Sequence, residues 1–447
     1  MTSSPSALAV EDAYFASNPP PKALPEHTAL ASAFIASHAE LPHRRVVLIT
    51  SGGTTVPLEK QTVRFIDNFS AGTRGATSAE YFLEAGYAVI FLHRQFSLRP
   101  YSRHFSHSRD CFLDFLTEAQ GPGGTSQVQW REDGAGAGAG AGTDGTGEGD
   151  DAAAAAAAAT TATATATATA SPKAVQVRDV LRKYRRAKDA NMLLMIPFVT
   201  IGDYLHELRA LSRLMSPLGR RGLLYLAAAV SDFFVPPERM AEHKIQSTDA
   251  AMTTTATAVS ATSSAVAKAA AAAVAAVVGN GIPEEEEFDN FDASPRVVRS
   301  KRLVVDLDPV PKFLKNLVDG WAPQGMIVSY KLETDPAILV RKARYSLERY
   351  QHHLVIGNLL STRKWEVVFV SPRREDKWLR VSPARTCKTM GMAEAGAETS
   401  HWGPDAEGRP LRAEELPRED PDMEIENLIV PAVAKLHDEH IAGGESS

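Results

Sequence analysis

The order of structural elements is clearest between residues 45 and 94. The stretch opens with the β-branched apolar run RVVLIT (45–50), which predicts a buried strand, and continues into the glycine turn SGG (51–53). GATSAEYFLEAG (75–86) combines an apolar helical face with a glycine where a helix C-cap belongs, and YAVIFLHR (87–94) predicts a second buried strand. A strand, a glycine-containing connection, a helix and a strand in this order form the repeating unit of a parallel α/β sheet.

The same alternation continues along the chain. Further strand candidates are LLMIPF (193–198), LLYLAAAV (223–230), MIVSY (326–330), HLVIGN (353–358) and WEVVFVSP (365–372), and helix candidates are DYLHELRALSRLM (203–215), KFLKNLV (312–318), PAILVRKARYSLERY (336–350) and EIENLIVPAVAKLHDEHI near the C-terminus. We therefore predict an α/β fold with a doubly wound, mostly parallel sheet and helices on both faces (Rossmann-like). In such sheets, ligands bind at the carboxyl ends of the strands, where the strand order reverses.

Two stretches lack the large apolar residues that a core needs. Residues 121–172 hold Gly-Ala, poly-Ala and Thr-Ala runs, and residues 248–298 are rich in Ala and Thr and end in an acidic run. We interpret both as disordered low-complexity insertions. The predicted organisation is an N-terminal extension (1–43) followed by a single domain built from residues 44–120, 173–247 and 299–440.

Charge and cysteine content exclude several classes of function. The formal charge is −6, and six acids near the end of the second insertion equal that excess in number: Glu284, Glu285, Glu286, Glu287, Asp289 and Asp292. The remaining chain is close to neutral, so we expect no nucleic-acid partner. Cys111 and Cys387 lie far apart without metal-type spacing, which favours two free thiols in a reducing compartment.

Targeting and metal motifs are equally sparse. The N-terminus lacks a basic region followed by an apolar stretch, and the apolar run at 265–278 is too short to span a bilayer. We expect a cytoplasmic location and no membrane partner. The 13 histidines form no HxxxH or HExxH pair, so no metal site built from protein ligands is expected.

Glycines surround an arginine at the start of the first predicted helix, in DNFSAGTRGATSAE (67–80). Gly72 and Gly75 leave backbone N–H groups uncovered at a helix N-terminus, and Arg74 adds a cation. Such a turn can hold phosphate oxygens. The spacing is neither GxGxxG nor GxxxxGK[ST], so an ordinary turn and cap remains an alternative at this point.

Six motifs carry a more specific indication: SGGTTVPLE, VRFIDNFSAGTRGATSAEYFLEAGY, LAAAVSDFFVP, EHKIQS, KLETDP and a strand ending in IGN. In this order they resemble the phosphopantothenate–cysteine ligases of coenzyme A biosynthesis, in their stand-alone eukaryotic form. The resemblance covers most of residues 45–372 apart from the insertions. It implies that a nucleoside triphosphate with Mg²⁺ activates the carboxylate of 4′-phosphopantothenate as an acyl-nucleotidylate, which the amine of L-cysteine then attacks. It also implies a homodimer.

The resemblance assigns positions around the nucleotide. The implied nucleotide-binding residues are Gly52, Ser70, Gly72, Gly75, Tyr330, Lys331 and Asn358. The family commonly has Phe where this chain has Tyr330, which could equally be packed in the core. Gln246 and Ser247 replace a pair of lysines typical of bacterial members, and this departure favours ATP over CTP.

The resemblance also assigns substrate-binding and catalytic positions. Asn68 is similar to a substrate-site asparagine that holds the carboxylate and its acyl adduct; capping of a turn is its ordinary alternative. Lys244 resembles a flexible-loop lysine that supports nucleotidyl transfer. An ordinary solvated lysine is the alternative interpretation. Asn68 and Lys244 are thus the implied catalytic residues.

Four further positions complete the implied substrate site. Arg64 resembles a residue that reaches the partner subunit's substrate. Without the resemblance, an ion pair with Asp67 or Glu59 explains Arg64 equally well. Ala228, Ala229 and Asp232 look like the wall that faces the pantothenate moiety, although an aspartate after a strand is also an ordinary cap.

Two alternative functions remain at this point. An NAD(P)-dependent Rossmann oxidoreductase would want a complete GxGxxG and an acid at the end of the next strand, which here ends in LHRQ. A non-catalytic homologue acting as a regulator is disfavoured by the presence of Asn68 and Lys244. We expect no flavin, because the chain before residue 45 is too short for the decarboxylase domain of fused bacterial relatives.

Overall fold

The computed structural model describes residues 7–106, 116–120, 126–130, 172–245, 303, 305–383 and 408–443. The second predicted insertion, most of the first, both cysteines, Gln246 and Ser247 lie outside the described residues. One described strand, Ser126–Trp130, falls within the first predicted insertion.

A sheet of eight strands forms the centre of the fold. The strands of the described chain are β1 (Val46–Ser51), β2 (Thr55–Pro57), β3 (Phe65–Asp67), β4 (Ala88–Arg94), β5 (Leu116–Gln120), β6 (Ser126–Trp130), β7 (Leu193–Phe198), β8 (Gly222–Leu226), β9 (Phe233–Phe234), β10 (Asp308–Pro309), β11 (Met326–Glu333), β12 (Leu354–Leu359), β13 (Glu366–Val370) and β14 (Lys377–Arg380). The order in the main sheet is β14-β13-β12-β11-β8-β1-β4-β7. The strand order reverses between β1 and β8, which confirms the predicted doubly wound topology.

Six neighbouring strands, from β12 to β7, are parallel, and β13 and β14 add an antiparallel edge. All six residues of β1 are buried. Since side chains alternate along a strand, Val46 and Leu48 enter one core cluster and Val47 and Ile49 enter another, on the opposite face. This double burial explains why the parallel strands read as continuous apolar runs.

Helices cover both faces of the sheet, as predicted. They are α1 (Ala7–Ser17), α2 (Leu24–Ala39), α3 (Thr73–Glu84), α4 (Arg103–Ser106), α5 (Pro172–Asp189), α6 (Ile201–Leu214), α7 (Phe313–Asn316), α8 (Leu339–Tyr350) and α9 (Glu426–Ala442). Buried residues of α1, α2 and α6 belong to one core cluster, and those of α3, α5 and α9 to the other. Helix α8 packs on β12 at the far end of the sheet.

The predicted N-terminal extension packs against the domain. Its helices α1 and α2 bury Tyr14, Phe15, Phe34 and Ile35 in the core. Buried Glu11 accepts hydrogen bonds from Trp321 Nε1 (3.1 Å) and from the side chain of Asn316, so the extension is tied to the body by polar contacts as well.

Candidate active site

The main chains after β1 and β8 are joined where the strand order reverses. Ala229 N–H donates to the carbonyl of Gly52 (2.8 Å), and Thr54 N–H donates to the carbonyl of Ala229 (3.0 Å). The predicted strand 223–230 therefore ends at Leu226, and the following alanines run as a connection along the carboxyl end of β1. Ala229 thus lies beside Gly52, and Ala228 N–H donates to the Thr50 hydroxyl (3.2 Å).

Asn68 sits against the turn that follows β1. Its N–H donates to the carbonyl of Thr54 (3.1 Å). A Cβ atom added to Gly53 would lie 1.7 Å from the carbonyl oxygen of Asn68, so only glycine allows the two main chains to approach this closely.

A cleft of about 270 Å³ contains Asn68 and Asp232. Apolar side chains of Val56, Ile66 and Phe233 line it as well. The side-chain amide of Asn68 makes no hydrogen bond to any described residue, which sets aside the turn-capping alternative within that part of the chain. Asp232 is largely exposed and pairs with Lys312 (2.8 Å).

Helix α3 begins at the same edge of the sheet. Its N-cap residue Gly72 has φ +83° and no capping side chain, and the Ser70 hydroxyl accepts a hydrogen bond from Gly72 N–H (3.3 Å). The Ser51 hydroxyl donates to the carbonyl of Gly72 (3.0 Å), which anchors the helix start to β1. A Cβ at Gly75 would lie 2.4 Å from Ser51 Oγ. The first-turn N–H groups therefore sit directly above the end of β1, without intrahelical acceptors.

Arg74 contacts protein groups. Its guanidinium lies 2.7 Å from the carboxylate of Glu426 on α9 and donates to the carbonyl of Arg363 (2.6 Å). Burial alone would lower the pKa of Arg74, but the Glu426 carboxylate outweighs it and raises that pKa. The Arg74 charge is thus neutralised within the fold, contrary to the free cation expected from the sequence, and it links α3 to α9.

Tyr330 and Asn358 lie on the α3 face of β11 and β12. The Tyr330 hydroxyl bonds to that of Tyr225, which bonds to Ser78 Oγ (2.9 Å). Burial raises the pKa of Tyr330 well above its ordinary value and that of Tyr225 to about 12, so both phenols stay protonated. Lys331 points to the other face of the sheet, 3.5 Å from Glu333. The structure therefore places the Tyr330 ring 5.8 Å from the Arg74 guanidinium at the helix start, puts Asn358 on the same face of the sheet, and turns the Lys331 side chain to the other face.

Arg64 pairs with Glu59, one of the two ion-pair partners that the sequence left open. It lies 2.9 Å from fully buried Glu59 and donates to the carbonyl of Ile245 (2.9 Å). Burial would raise the pKa of Glu59, but hydrogen bonds from Arg64, Val63 and Ile245 lower it overall. Glu59 thereby ties the Arg64 hairpin to the segment that carries Lys244, whose side chain is exposed.

Two residues with structural roles in the site, Ser51 and Glu426, were not predicted from the sequence. Ser51 lies inside the motif SGGTTVPLE, so its position in the motif was a usable signal. Glu426 is 352 residues from Arg74 along the chain, and no local pattern marks it. The described residues contain no group of three or more His, Cys, Asp or Glu side chains able to hold a metal.

Comparison with known proteins identifies the family. A family model described as the DNA/pantothenate metabolism flavoprotein C-terminal domain matches residues 43–106. Phosphopantothenate–cysteine ligase CAB2 of Saccharomyces cerevisiae is 40% identical over 395 residues, which cover 88% of this chain and 86% of the yeast protein. The chain belongs to the phosphopantothenate–cysteine ligases.

Other members of the ligase family are also similar to this chain in sequence and structure. The human phosphopantothenate–cysteine ligase is 36% identical, covering 75% of this chain and 79% of the human protein. Solved structures of a histidine-to-alanine mutant of Cab2 superpose with a TM-score of 0.62 at 35% identity, over 97% of this chain and 99% of that one. One of them is a complex with phosphopantothenate-cysteine.

Family membership confirms the predicted fold class and the predicted enzyme class. The roles of the individual ligase residues remain predictions. Among the described residues, no helix is long and apolar enough to cross a membrane.

Proposed function

We propose that this ligase joins 4′-phosphopantothenate to L-cysteine after activating the carboxylate with ATP. A carboxylate oxygen attacks the α-phosphorus, pyrophosphate leaves, and an acyl-adenylate forms. The cysteine amine then attacks the acyl carbon, AMP leaves with the bonding electron pair, and the amine loses a proton as the amide forms. The observation that carries the proposal is the placement of Asn68 and Asp232 in one cleft, beside a helix start that has no capping side chain.

The start of α3 is the proposed phosphate site. Anions bind favourably at a helix N-terminus because its first N–H groups lack acceptors and carry partial positive charge. Gly52 and Gly72 both have positive φ, and the absence of side chains lets this turn pack closely against Ser97 and shape the main chain proposed to bind the triphosphate. Gly75 and Ser70 belong to the same turn. Tyr330 on β11 and Asn358 on β12 lie further along the same sheet, and the Lys331 main chain lies between them in register.

The cleft beside this turn is the proposed substrate site. The Asn68 amide can donate to a carboxylate oxygen and accept from a nucleophilic amine, and it has no competing partner among the described residues. Ala228 and Ala229 are small enough for a chain to lie along the strand end, and Asp232 can accept from a hydroxyl or amide once Lys312 is displaced or shared.

Lys244 is the proposed electrostatic group for the activation step. The next residue, Ile245, is hydrogen-bonded to Arg64 and Glu59. The exposed ammonium of Lys244 is therefore one residue away from an anchored position. Mg²⁺ fits as a partner of the triphosphate oxygens, since it keeps several waters and needs few protein ligands. When bound, it neutralises phosphate charge. CTP is the alternative nucleotide.

A homodimer and a cytoplasmic location belong to the same proposal. Val63, Phe65 and Phe69 are 55%, 50% and 89% exposed around Arg64, which makes this hairpin a suitable surface for a second copy of the chain. Phe65→Glu should yield monomers in analytical ultracentrifugation, whereas Tyr345→Glu, on exposed α8, should not. Cell fractionation tests the location.

Turnover with phosphopantothenate, cysteine and either ATP or CTP tests the proposed reaction. We expect pyrophosphate release that depends on phosphopantothenate, and AMP as the second nucleotide product. Release of ADP and phosphate would point to an acyl-phosphate route, and absence of any turnover would favour the non-catalytic regulator.

A further inference from the structure

A second cleft, of about 1040 Å³, lies at the opposite end of the main sheet. Its lining includes residues that directly precede parallel strands: Arg45 before β1, Arg221 before β8 and His353 before β12. Amino ends of parallel strands share one edge, so this cleft faces away from the candidate active site. His440, near the end of α9, lines the cleft as well.

The charge of this amino-end cleft is unbalanced. Arg45, Arg220 and Arg221 all line it, and Asp438 is the only carboxylate among its described lining residues. Asp438 pairs with Arg45 at 2.7 Å.

The other two guanidinium groups are held by neutral partners. Arg220 donates to the carbonyl of His440 (3.0 Å), and Arg221 donates to the carbonyls of Leu41 (2.6 Å) and Ala39 (3.1 Å). These bonds orient both guanidiniums, and the acceptors, which include carbonyls in the last turns of α2 and α9, carry only partial negative charge. Within the described chain, neither guanidinium forms an ion pair. Two partly buried positive charges therefore remain without a carboxylate counter-charge.

Burial keeps the nearby imidazoles of His353 and His440 uncharged. His353 accepts a hydrogen bond from Ile327 N–H (3.1 Å), and its ring centre lies 4.7 Å from that of His440. Burial first, and then the charges of His440 and Arg220, lower the pKa of His353 to about 4. The imidazoles stay neutral at pH 7, and the excess positive charge belongs to the two arginines.

We propose that the amino-end cleft binds a small phosphate-bearing anion through Arg220 and Arg221. Guanidinium groups match phosphate oxygens geometrically, and pre-oriented donors lose little entropy on binding. A neighbouring slot of about 140 Å³, lined by Gly219, Gly222 and Leu224, shares Gln324 with the cleft. This slot gives room for an organic group attached to the phosphate, so both inorganic pyrophosphate and ADP serve as probes.

Hydrogen exchange of the wild-type full chain gives the first test. Pyrophosphate at about 150 mM salt, where weak surface attraction is screened, should slow amide exchange around residues 220–222 and 438–441. Protection confined to residues 72–75, or no protection at the cleft at millimolar pyrophosphate, would overturn the proposal. Stronger protection by ADP than by pyrophosphate would assign the ligand to a nucleotide, and equal protection to the phosphates alone.

Calorimetry of variants gives the second test. Arg220→Gln should weaken binding at the cleft at least ~10-fold, since hydrogen bonds to charged groups are the strong ones, and should reduce the number of pyrophosphate sites per chain by one at fixed concentration. Arg220→Lys retains the charge and should restore part of the affinity. Arg349→Gln, an arginine on α8 outside the cleft, is the matched control. Unchanged stoichiometry and affinity in both Arg220 variants would contradict the proposal.

Discussion

At the scale of single residues, the candidate site depends on side chains that are small or without protein partners. Asn68 reaches a cleft with its amide unpaired among described residues, and Gly53 and Gly75 allow main chains to approach where a methyl group would collide. The chemistry and the packing at this site are thus carried by different residues and can be tested separately.

Asn68→Ala should stall the reaction after activation. Without the amide, the acyl-adenylate is no longer positioned for the amine, so we expect one burst of pyrophosphate per site and a steady rate lower by ~10²-fold or more, the cost of one preorganised polar group. Lys244→Ala should abolish the burst itself, whereas Lys377→Ala on the edge strand should change neither. Quenched-flow measurement distinguishes these outcomes, and normal multiple turnover in either site variant would remove that residue from its role.

Gly75→Ala should destabilise the fold. The new methyl group would lie 2.4 Å from Ser51 Oγ and 2.5 Å from Ser51 Cβ, so helix α3 has to move off β1. We expect a loss of about 1–3 kcal/mol in the free energy of unfolding, as for other overpacked sites. Gly320→Ala is the control, since nothing lies within 4 Å of a Cβ there. Equal urea midpoints for the two variants would show that the contact is relieved at no cost.

At the scale of elements, α3 is held from two sides. Ser51 anchors its start to β1, and Arg74 joins its first turn to Glu426 at the start of α9. The C-terminal helix therefore supports the proposed phosphate site, although α9 supplies none of the predicted site residues.

Glu426→Ala should destabilise the protein by about 3–5 kcal/mol, because it leaves the largely buried Arg74 guanidinium without its counter-charge. The double variant Arg74→Leu/Glu426→Leu removes both charges and should lose less than Glu426→Ala alone. Urea unfolding of the three proteins measures this. A Glu426→Ala variant within about 0.5 kcal/mol of wild type, the range of an ordinary surface substitution, would show that the ion pair adds no stability.

At the scale of the whole molecule, neutral buried histidines join α9 to the amino ends of the strands. Burial is the main cause that lowers the pKa values of His352, His353 and His437 from 6.5 to about 4. His437 bonds to Tyr87 and to the carbonyl of Arg220, and His352 to Ser329.

Stability should fall as the pH drops below about 6.5. The folded-state pKa of each histidine lies below its unfolded value, so unfolding takes up protons, and the stabilisation is complete above pH 6.5 and lost progressively towards pH 4. Each group adds at most ~1.4 kcal/mol per pH unit within that window. Urea unfolding at pH 7 and pH 5 measures the effect, and His352→Gln should reduce the slope. Equal stability at both pH values would contradict the burial argument.

The sequence predicted the parallel sheet, its helices and the glycine-rich helix start because these depend on local patterns of apolar residues and glycine. It did not predict the ion pair of Arg74 with Glu426 or the packing of α1 and α2, because both depend on residues brought together from distant parts of the chain. The antiparallel direction of β13 was also unpredictable, since an apolar run such as WEVVFVSP does not encode the direction of pairing.

In the proposed ligase mechanism, the N–H groups at the start of α3 hold the nucleotide's phosphates beside Asn68. The decisive experiment is a crystal structure of the full chain with a non-hydrolysable ATP analogue and phosphopantothenate. We expect phosphate oxygens within hydrogen-bonding distance of the main-chain N–H groups of residues 72–75 and the substrate carboxylate next to the Asn68 amide. A triphosphate bound elsewhere, with the α3 start unoccupied, would contradict it.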